Sequence, residues 1–171
     1  MKFDKIIIEG PNNVGKSTLI EELQKYLHWE VEHVTSVCPN DYTFYDDLLS
    51  CEEPLIFDRL HLGEMVYPEI FNRKQKLSES EFDDICEKHC EHTLTVILDA
   101  DFDFIITANA LKNEKFKYSE VWQEKKGFYD IYTFCKCTYP NVVRLKNHSG
   151  KENTIKLCKK ILEAIRFDTV N

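Results

Sequence analysis

Residues 10–18 read Gly10-Pro11-Asn12-Asn13-Val14-Gly15-Lys16-Ser17-Thr18 and follow directly on the apolar run Ile6-Ile7-Ile8, closed by Glu9. The chain has only five glycines, and two of them stand here five positions apart, just ahead of a lysine and two hydroxyl residues. An apolar run that stops at a glycine turn reads as a buried strand. Beyond the turn, Leu19, Ile20, Leu23, Tyr26 and Leu27 share one face of a helix over 16–27. Glycine reaches backbone conformations closed to bulkier residues, so such a loop can turn its N–H groups inward. The helix that follows aims its N-terminal dipole at the same point, which favours anionic phosphate. The pattern is G-x-x-x-x-G-K-[ST] in a strand–loop–helix setting, the phosphate-binding loop of nucleotide-binding proteins. It assigns a nucleoside triphosphate to Gly10, Asn12, Asn13, Val14, Gly15, Lys16, Ser17 and Thr18. Lys16 would reach the β- and γ-phosphates, and the Ser17 hydroxyl would ligate Mg²⁺.

Outward from this loop, strand and helix patterns alternate. Trp29 to Val34 interleaves apolar residues with glutamates, as a half-buried edge strand does. Leu55-Ile56-Phe57-Asp58 is a short buried strand ending on a carboxylate, and Thr93 to Asp99 is another buried run. Ser78-Glu79-Ser80-Glu81 is a capping box that opens a helix through Phe82, Ile85 and Cys86. Val121 to Tyr132 has helical spacing despite Gly127. Val142-Val143 marks a fifth strand, and a second capping box, Ser149 to Glu152, opens a last helix through Ile165. Strands separated by helices predict a parallel sheet covered on both faces, with ligands at the carboxyl ends of the strands. The expected fold is therefore α/β and three-layered: the P-loop NTPase fold, with a five-stranded parallel sheet of order 2-3-1-4-5 flanked by helices. No linker, repeat or low-complexity stretch interrupts it, so residues 1–171 are expected to form a single domain.

Composition narrows the partners. A net charge of −8 and pI near 5.3 argue against a large nucleic-acid or anionic-membrane surface. No apolar run is long enough to span a bilayer, and no signal-peptide core precedes the first strand, so a cytoplasmic location is expected. Seven scattered cysteines lack paired C-x-x-C spacing and read as reduced, structural thiols. Lysine outnumbers arginine 18 to 4, which makes each arginine worth following.

The signatures N-K-x-D and D-x-x-G of regulatory GTPases are missing. Phe57-Asp58-Arg59-Leu60-His61-Leu62-Gly63-Glu64-Met65-Val66-Tyr67, followed by Asn72-Arg73, resembles the thymidylate kinase group of P-loop kinases, and most of all its short phage-type members. Deoxynucleoside kinases share the glycine loop and an acidic-Arg pair like Asp58-Arg59. The resemblance extends along nearly the whole chain, with Leu98-Asp99 closing the fourth strand, a lid near 107–118, and Leu145 to Ser149 in the place of the loop that packs on adenine.

The resemblance implies roles residue by residue. Asp58 would hold or orient Mg²⁺ beside Ser17. Arg59 would contact phosphate near the acceptor, and Arg73 would grip the acceptor monophosphate or stack beside its base. Tyr67 and Phe71 would border that base, while Asn147 and His148 would lie against adenine. Lys16, Asp58, Arg59 and Arg73 would then carry catalysis, with ATP as donor and Mg²⁺ as cofactor. His61 reads instead as a packed histidine. Two departures stand out: Thr107 to Lys117 contains no lid arginine, and Cys38-Pro39-Asn40-Asp41-Tyr42 stands where many relatives hold a phosphate-binding arginine. Lysine can supply charge there but not a bidentate fork.

The expected function is transfer of the ATP γ-phosphoryl group to a deoxynucleoside monophosphate such as dTMP, by positioning and electrostatics. Two alternatives stand beside it: a deoxynucleoside kinase acting on a free 5′-hydroxyl, and a nucleotide-binding regulator with weak turnover. The partner implied is a small-molecule nucleotide, with no nucleic acid and no membrane. Because family members are often dimers, the resemblance also suggests a homodimer.

Overall fold

The computed structural model describes residues 2–113, 117–148 and 151–166. Among them five strands, β1 (Lys5–Glu9), β2 (Glu30–His33), β3 (Leu55–Asp58), β4 (Thr93–Ala100) and β5 (Val142–Asn147), form one all-parallel sheet of order β2-β3-β1-β4-β5. This is the order expected from the sequence. The helices are α1 (Lys16–Leu27), α2 (Tyr42–Ser50), α3 (Tyr67–Ile70), α4 (Glu79–His89), α5 (Phe102–Leu111), α6 (Tyr118–Thr138) and α7 (Lys151–Arg166). None of these is long and apolar enough to cross a membrane.

Burial follows strand position. Every residue of the central strands β1 and β4 is buried, and each carries an unbroken apolar stretch, Ile6-Ile7-Ile8 and Val96-Ile97-Leu98, whereas the edge strand β2 is mostly exposed. The two-residue period of β1 divides the core. Ile6 and Ile8 join α1, α7 and the inner side of α5 on one face, while Ile7 joins α2, α4 and α6 on the other. Each fully buried isoleucine contributes roughly 2 kcal/mol, an upper figure because unfolded chains already hide some apolar surface.

Several elements differ from expectation. Residues 42–50 form α2, with Asp41 accepting the Phe44 N–H at 3.0 Å as its N-cap. The proposed lid is helical at its start: α5 runs to Leu111, and residues 114–116 lie outside the described residues. Helix α6 begins earlier and ends later than its apolar spacing suggested. The turn after Arg59 is a 3₁₀ turn over Leu62–Met65, and the short helix α3 begins at Tyr67. The capping box at Ser78 is present, with Ser78 and Glu81 each bonding the other's backbone N–H. The second box, Ser149 to Glu152, falls partly outside the described residues.

Two glycines show why the loop sequence is what it is. Gly10 has φ +136°, and a Cβ there would sit 2.0 Å from the Leu98 carbonyl oxygen, so the loop passes directly over β4. Gly15 has φ +96°, and its Cβ would meet the Asn147 amide at 2.6 Å. Neither place admits a side chain.

Candidate active site

The carboxyl ends of β1, β2 and β3 converge on the glycine loop. Lys16, buried at the start of α1, curls back and donates to the carbonyls of Gly10 and Pro11, both at 2.7 Å. Burial and the neighbouring Arg59 bring its pKa down to about 8, while Glu9, Asp58 and Glu124 pull it upward. Ser17 and Thr18 are exposed beside it, whereas the Val14 side chain is wholly in the core. Val14 therefore meets the site only through its backbone, and its carbonyl accepts the Asn147 amide at 2.8 Å.

Three cavities radiate from this loop. The first, about 240 Å³, is walled by Lys16, Ser17, His33, Asp58, Arg59 and Lys112 and has the polar character of a phosphate channel. The second, about 390 Å³, lies toward Asn40, Tyr45, Glu64, Tyr67, Phe71 and Arg73. Asn12 and Arg59 form part of the wall of both. A third, about 460 Å³, opens on the other side of Gly15 between Thr18, Phe104 and Asn147.

Asp58 lies in the channel, as its position at the end of β3 requires. Its Oδ2 is 2.9 Å from His33 Nδ1, and its Oδ1 is buried with no hydrogen-bond partner among the described residues. Parallel register sets the pair, for His33 is the Cα partner of Asp58 across β2 and β3. An orphaned carboxylate oxygen and the Ser17 hydroxyl in one polar cavity are the hard oxygen donors that Mg²⁺ takes, so these residues fit that ion.

Arg59 has φ +68°, a left-handed backbone that costs a non-glycine residue about 1–3 kcal/mol. Its N–H is held by the Ile8 carbonyl at 3.1 Å, and its Nη2 donates to Asn12 Oδ1 at 2.9 Å. Arg73 is committed elsewhere: Nη1 and Nη2 grip Glu64 Oε2 and Oε1 at 2.9 and 2.8 Å. Tyr67 and Phe71 stack with centroids 5.7 Å apart on the same cavity, Tyr67 buried and Phe71 half exposed. The Tyr67 hydroxyl also donates to the Gly10 carbonyl at 3.4 Å. Asn40 is 1 % exposed. Its amide N–H₂ is tied to the Thr35 carbonyl at 2.9 Å, and its Oδ1 is buried with no hydrogen-bond partner among the described residues.

The remaining sequence-derived residues divide. Asn147 is on the third cavity, bonded to Val14 and to Asn153, whereas His148 points away toward Asp101, 3.8 Å off. Asn13 is bonded to Asn109 of α5 at 2.7 Å and to Lys112 at 2.5 Å, so one lid-segment lysine reaches the loop. Lys117 does not; it pairs with Glu120 at 3.2 Å. Arg144 is taken by Asp99 and lies over the Tyr129 ring. His61 is packed as expected, 3 % exposed beside Cys86 Sγ, with its pKa driven down to about 3 by burial.

Three residues here, Glu9, His33 and Glu124, have no motif. Glu9 is fully buried; its Oε1 accepts the N–H groups of Leu60 and Gly63 at 2.7 and 3.2 Å, and burial pushes its pKa up to about 7. Glu124 comes from α6, far along the chain, and binds Asn12. The strand order predicted from sequence placed β2 beside β3, and that adjacency is the signal that could have singled out His33. For Glu124 no local signal exists.

No family model and no curated protein matches the sequence. Solved structures do. The YorR protein of Bacillus subtilis, crystallised with phosphorylated GDP, superposes with a TM-score of 0.82 at 18% identity over 98% of both chains. Deoxyadenosine kinase from M. mycoides, solved with dCMP and dCDP, gives 0.66 at 15% identity over 95% of this chain and 100% of its own. A gluconokinase from Sinorhizobium meliloti gives 0.60 at 12% identity over 99% of each. At such identities the likeness is one of fold: a five-stranded parallel sheet of order β2-β3-β1-β4-β5 flanked by helices.

Proposed function

We propose that this single-domain protein is an ATP-dependent kinase that phosphorylates a nucleobase-bearing acceptor, in the first instance a deoxynucleoside monophosphate such as dTMP. The observation that carries the proposal is the shared wall. Arg59 and Asn12 border both the phosphate channel and the 390 Å³ cavity, so a donor γ-phosphate in one and an acceptor in the other would meet at one guanidinium. The cavity has the size and mixed lining of a small-ligand pocket, with the stacked Tyr67 and Phe71 rings for a base face. Asn40 Oδ1 would accept an N–H from the base edge, which would end its isolation. ATP would place its phosphates against the loop of Gly10 to Thr18 and its adenine toward Asn147. Mg²⁺ held by Ser17 and Asp58 would offset phosphate charge. Lys16 would leave the two loop carbonyls for the β- and γ-phosphates, and Arg59 would meet the charge developing on the transferred group.

A second reading, phosphorylation of a free deoxynucleoside, is favoured by one observation. Glu64 already neutralises Arg73, so of the two arginines on the acceptor side only Arg59 keeps its charge available for a dianionic phosphate. In that case the Glu64–Arg73 pair reads the base edge, with donors and acceptors side by side. A panel of deoxynucleosides and their monophosphates with ATP and Mg²⁺, followed by ADP release and by ³¹P spectra of the products, separates the readings. Turnover confined to monophosphates supports the first and turnover confined to nucleosides the second. Tight ATP binding without turnover on any acceptor would make the chain a nucleotide-binding regulator instead. A homodimer, which the exposed aromatic side chains Trp122 and Tyr129 of α6 would serve, is checked by sedimentation.

A further inference from the structure

Arg59 and Arg73 border the same cavity and are held in opposite ways. Glu64 grips Arg73 with both carboxylate oxygens, which occupies two of its donors and cancels its charge. Arg59 is approached by a carboxylate too, but at one remove. Glu124, 6 % exposed in α6, accepts the Asn12 backbone N–H on Oε2 at 2.7 Å and the Asn12 side-chain N–H₂ on Oε1 at 2.9 Å. The Asn12 amide is thereby turned so that its oxygen faces the other way, and that oxygen accepts from Arg59 Nη2 at 2.9 Å. The reverse orientation would set the amide oxygen against the carboxylate and the amide N–H₂ against the guanidinium, losing both bonds.

We infer that Glu124 is a positioning residue: through Asn12 it sets the guanidinium of Arg59 at the seam between the phosphate channel and the acceptor cavity. Its effect on turnover rests on the kinase reading above. The neutral amide is what makes the arrangement useful. A carboxylate in direct bidentate contact would consume the fork that a phosphate needs, as at Arg73. An amide takes one donor and no charge, leaving the other N–H groups of Arg59 for phosphoryl oxygens. A relay is also what a strained residue needs. The left-handed backbone of Arg59 fixes where the side chain leaves β3, but a long side chain keeps its own rotamer freedom unless its far end is held. Asn12 holds that end, and Tyr67, whose hydroxyl is bonded to the Gly10 carbonyl, shares the cavity wall with it.

The test compares the full-length wild type with Glu124→Ala and the milder Glu124→Gln, which keeps one oxygen for Asn12 but meets the second donor with an N–H₂. The first measurement needs no substrate: ¹⁵N-detected side-chain spectra of Arg59, assigned by its loss in Arg59→Ala. Wild-type protein should give narrow Arg59 guanidinium signals that broaden in Glu124→Ala and shift partway in Glu124→Gln, with thermal melts showing all three folded. The second is a double-mutant cycle on kcat with the best acceptor of the panel. Glu124→Ala should lower kcat at least tenfold with the ATP KM within twofold, yet cost less than twofold more when Arg59 is already alanine. Unchanged Arg59 signals in both Glu124 variants, or losses that simply multiply in the cycle, would overturn the assignment. A chain that turns over no acceptor removes the kinase reading, and the Arg59 spectra still decide whether Glu124 sets the guanidinium.

Discussion

Glu64 and Arg73, nine residues apart across the α3 turn, face each other as a two-pronged ion pair on the wall of the 390 Å³ cavity, with Glu64 4 % and Arg73 23 % exposed at the side chain. The two partners are unequally placed: the carboxylate is out of water, and the guanidinium is partly in it. Removing the arginine alone would strand a buried charge.

Arg73→Ala should therefore lower stability by about 2–3 kcal/mol, somewhat below the figure for a fully buried pair because Arg73 is partly solvated. Replacing both residues, with Glu64→Gln added, should restore most of that loss in a urea melt. Acceptor kcat/KM should fall at least tenfold, about 1.4 kcal/mol or more, with ATP binding little changed. A single variant as stable as wild type would mean that the pair does not hold the turn.

On the proposed kinase reading, Lys16 should make ATP binding depend on pH. The free protein holds its ammonium at a pKa near 8, and bound phosphates favour the charged form. The Lys16 contribution to affinity should thus be level well below pH 8 and weaken as pH rises above it, with up to one proton taken up on binding in that range. Calorimetry in two buffers of different ionisation enthalpy at pH 8.5 measures the uptake. Lys16→Ala should abolish both the uptake and the bulk of turnover, and a pH-independent affinity would contradict the assignment.

Lys112 is the lid-segment lysine whose contact with the loop is described, through Asn13 Oδ1 at 2.5 Å. With no arginine in that segment, Lys112→Gln should reduce kcat about tenfold, whereas Lys117→Gln, on a residue paired with Glu120, should change it less than twofold. Equal effects of the two substitutions in steady-state kinetics would remove the distinction.

Glu9 ties stability to pH. Its folded pKa of about 7 lies above the ordinary glutamate value of 4.5. Between those values the folded state keeps a proton that the unfolded chain has released, so stability falls as pH rises from 4.5 to 7 and then levels. The fall due to this group is on the order of 3 kcal/mol. Glu9→Gln mimics the protonated acid, keeps an oxygen for the Leu60 and Gly63 N–H groups, and should flatten the curve. Denaturant melts at pH 5 and pH 8 give the comparison, and parallel curves for variant and wild type would refute it.

The fold was legible because its decisive elements are local. A buried strand, a glycine loop and an amphipathic helix stand next to each other in residues 5–27, and central strands in a parallel sheet are apolar on both faces. Helix α5 hid for the opposite reason: Phe102, Phe104, Ile105, Ile106 and Ala108 surround it, so no single face marks a helix. Helix α2 carries Tyr42, Tyr45 and Leu49 at helical spacing, but the aspartates among them read as loop. At the site, the motif residues Lys16, Ser17, Asp58 and Arg59 line one cavity, while the partners of the site residues did not show in the sequence. Glu64 for Arg73 requires the geometry of a turn. His33 for Asp58 requires strand register. Glu124 for Asn12 spans 112 positions and leaves no trace in composition or spacing.

Gly127 lies one turn after Glu124, on the same side of α6, and a Cβ at 127 would come within 2.7 Å of Val66. A single hydrogen atom in place of a methyl group therefore decides how near the helix comes to the turn that leads into Tyr67. Any larger residue at 127 would lift this stretch of α6, and Glu124 would rise with it. A lesion there would look like a packing defect in a remote helix, yet it would be felt first as a phosphate loop that has lost its grip on one arginine.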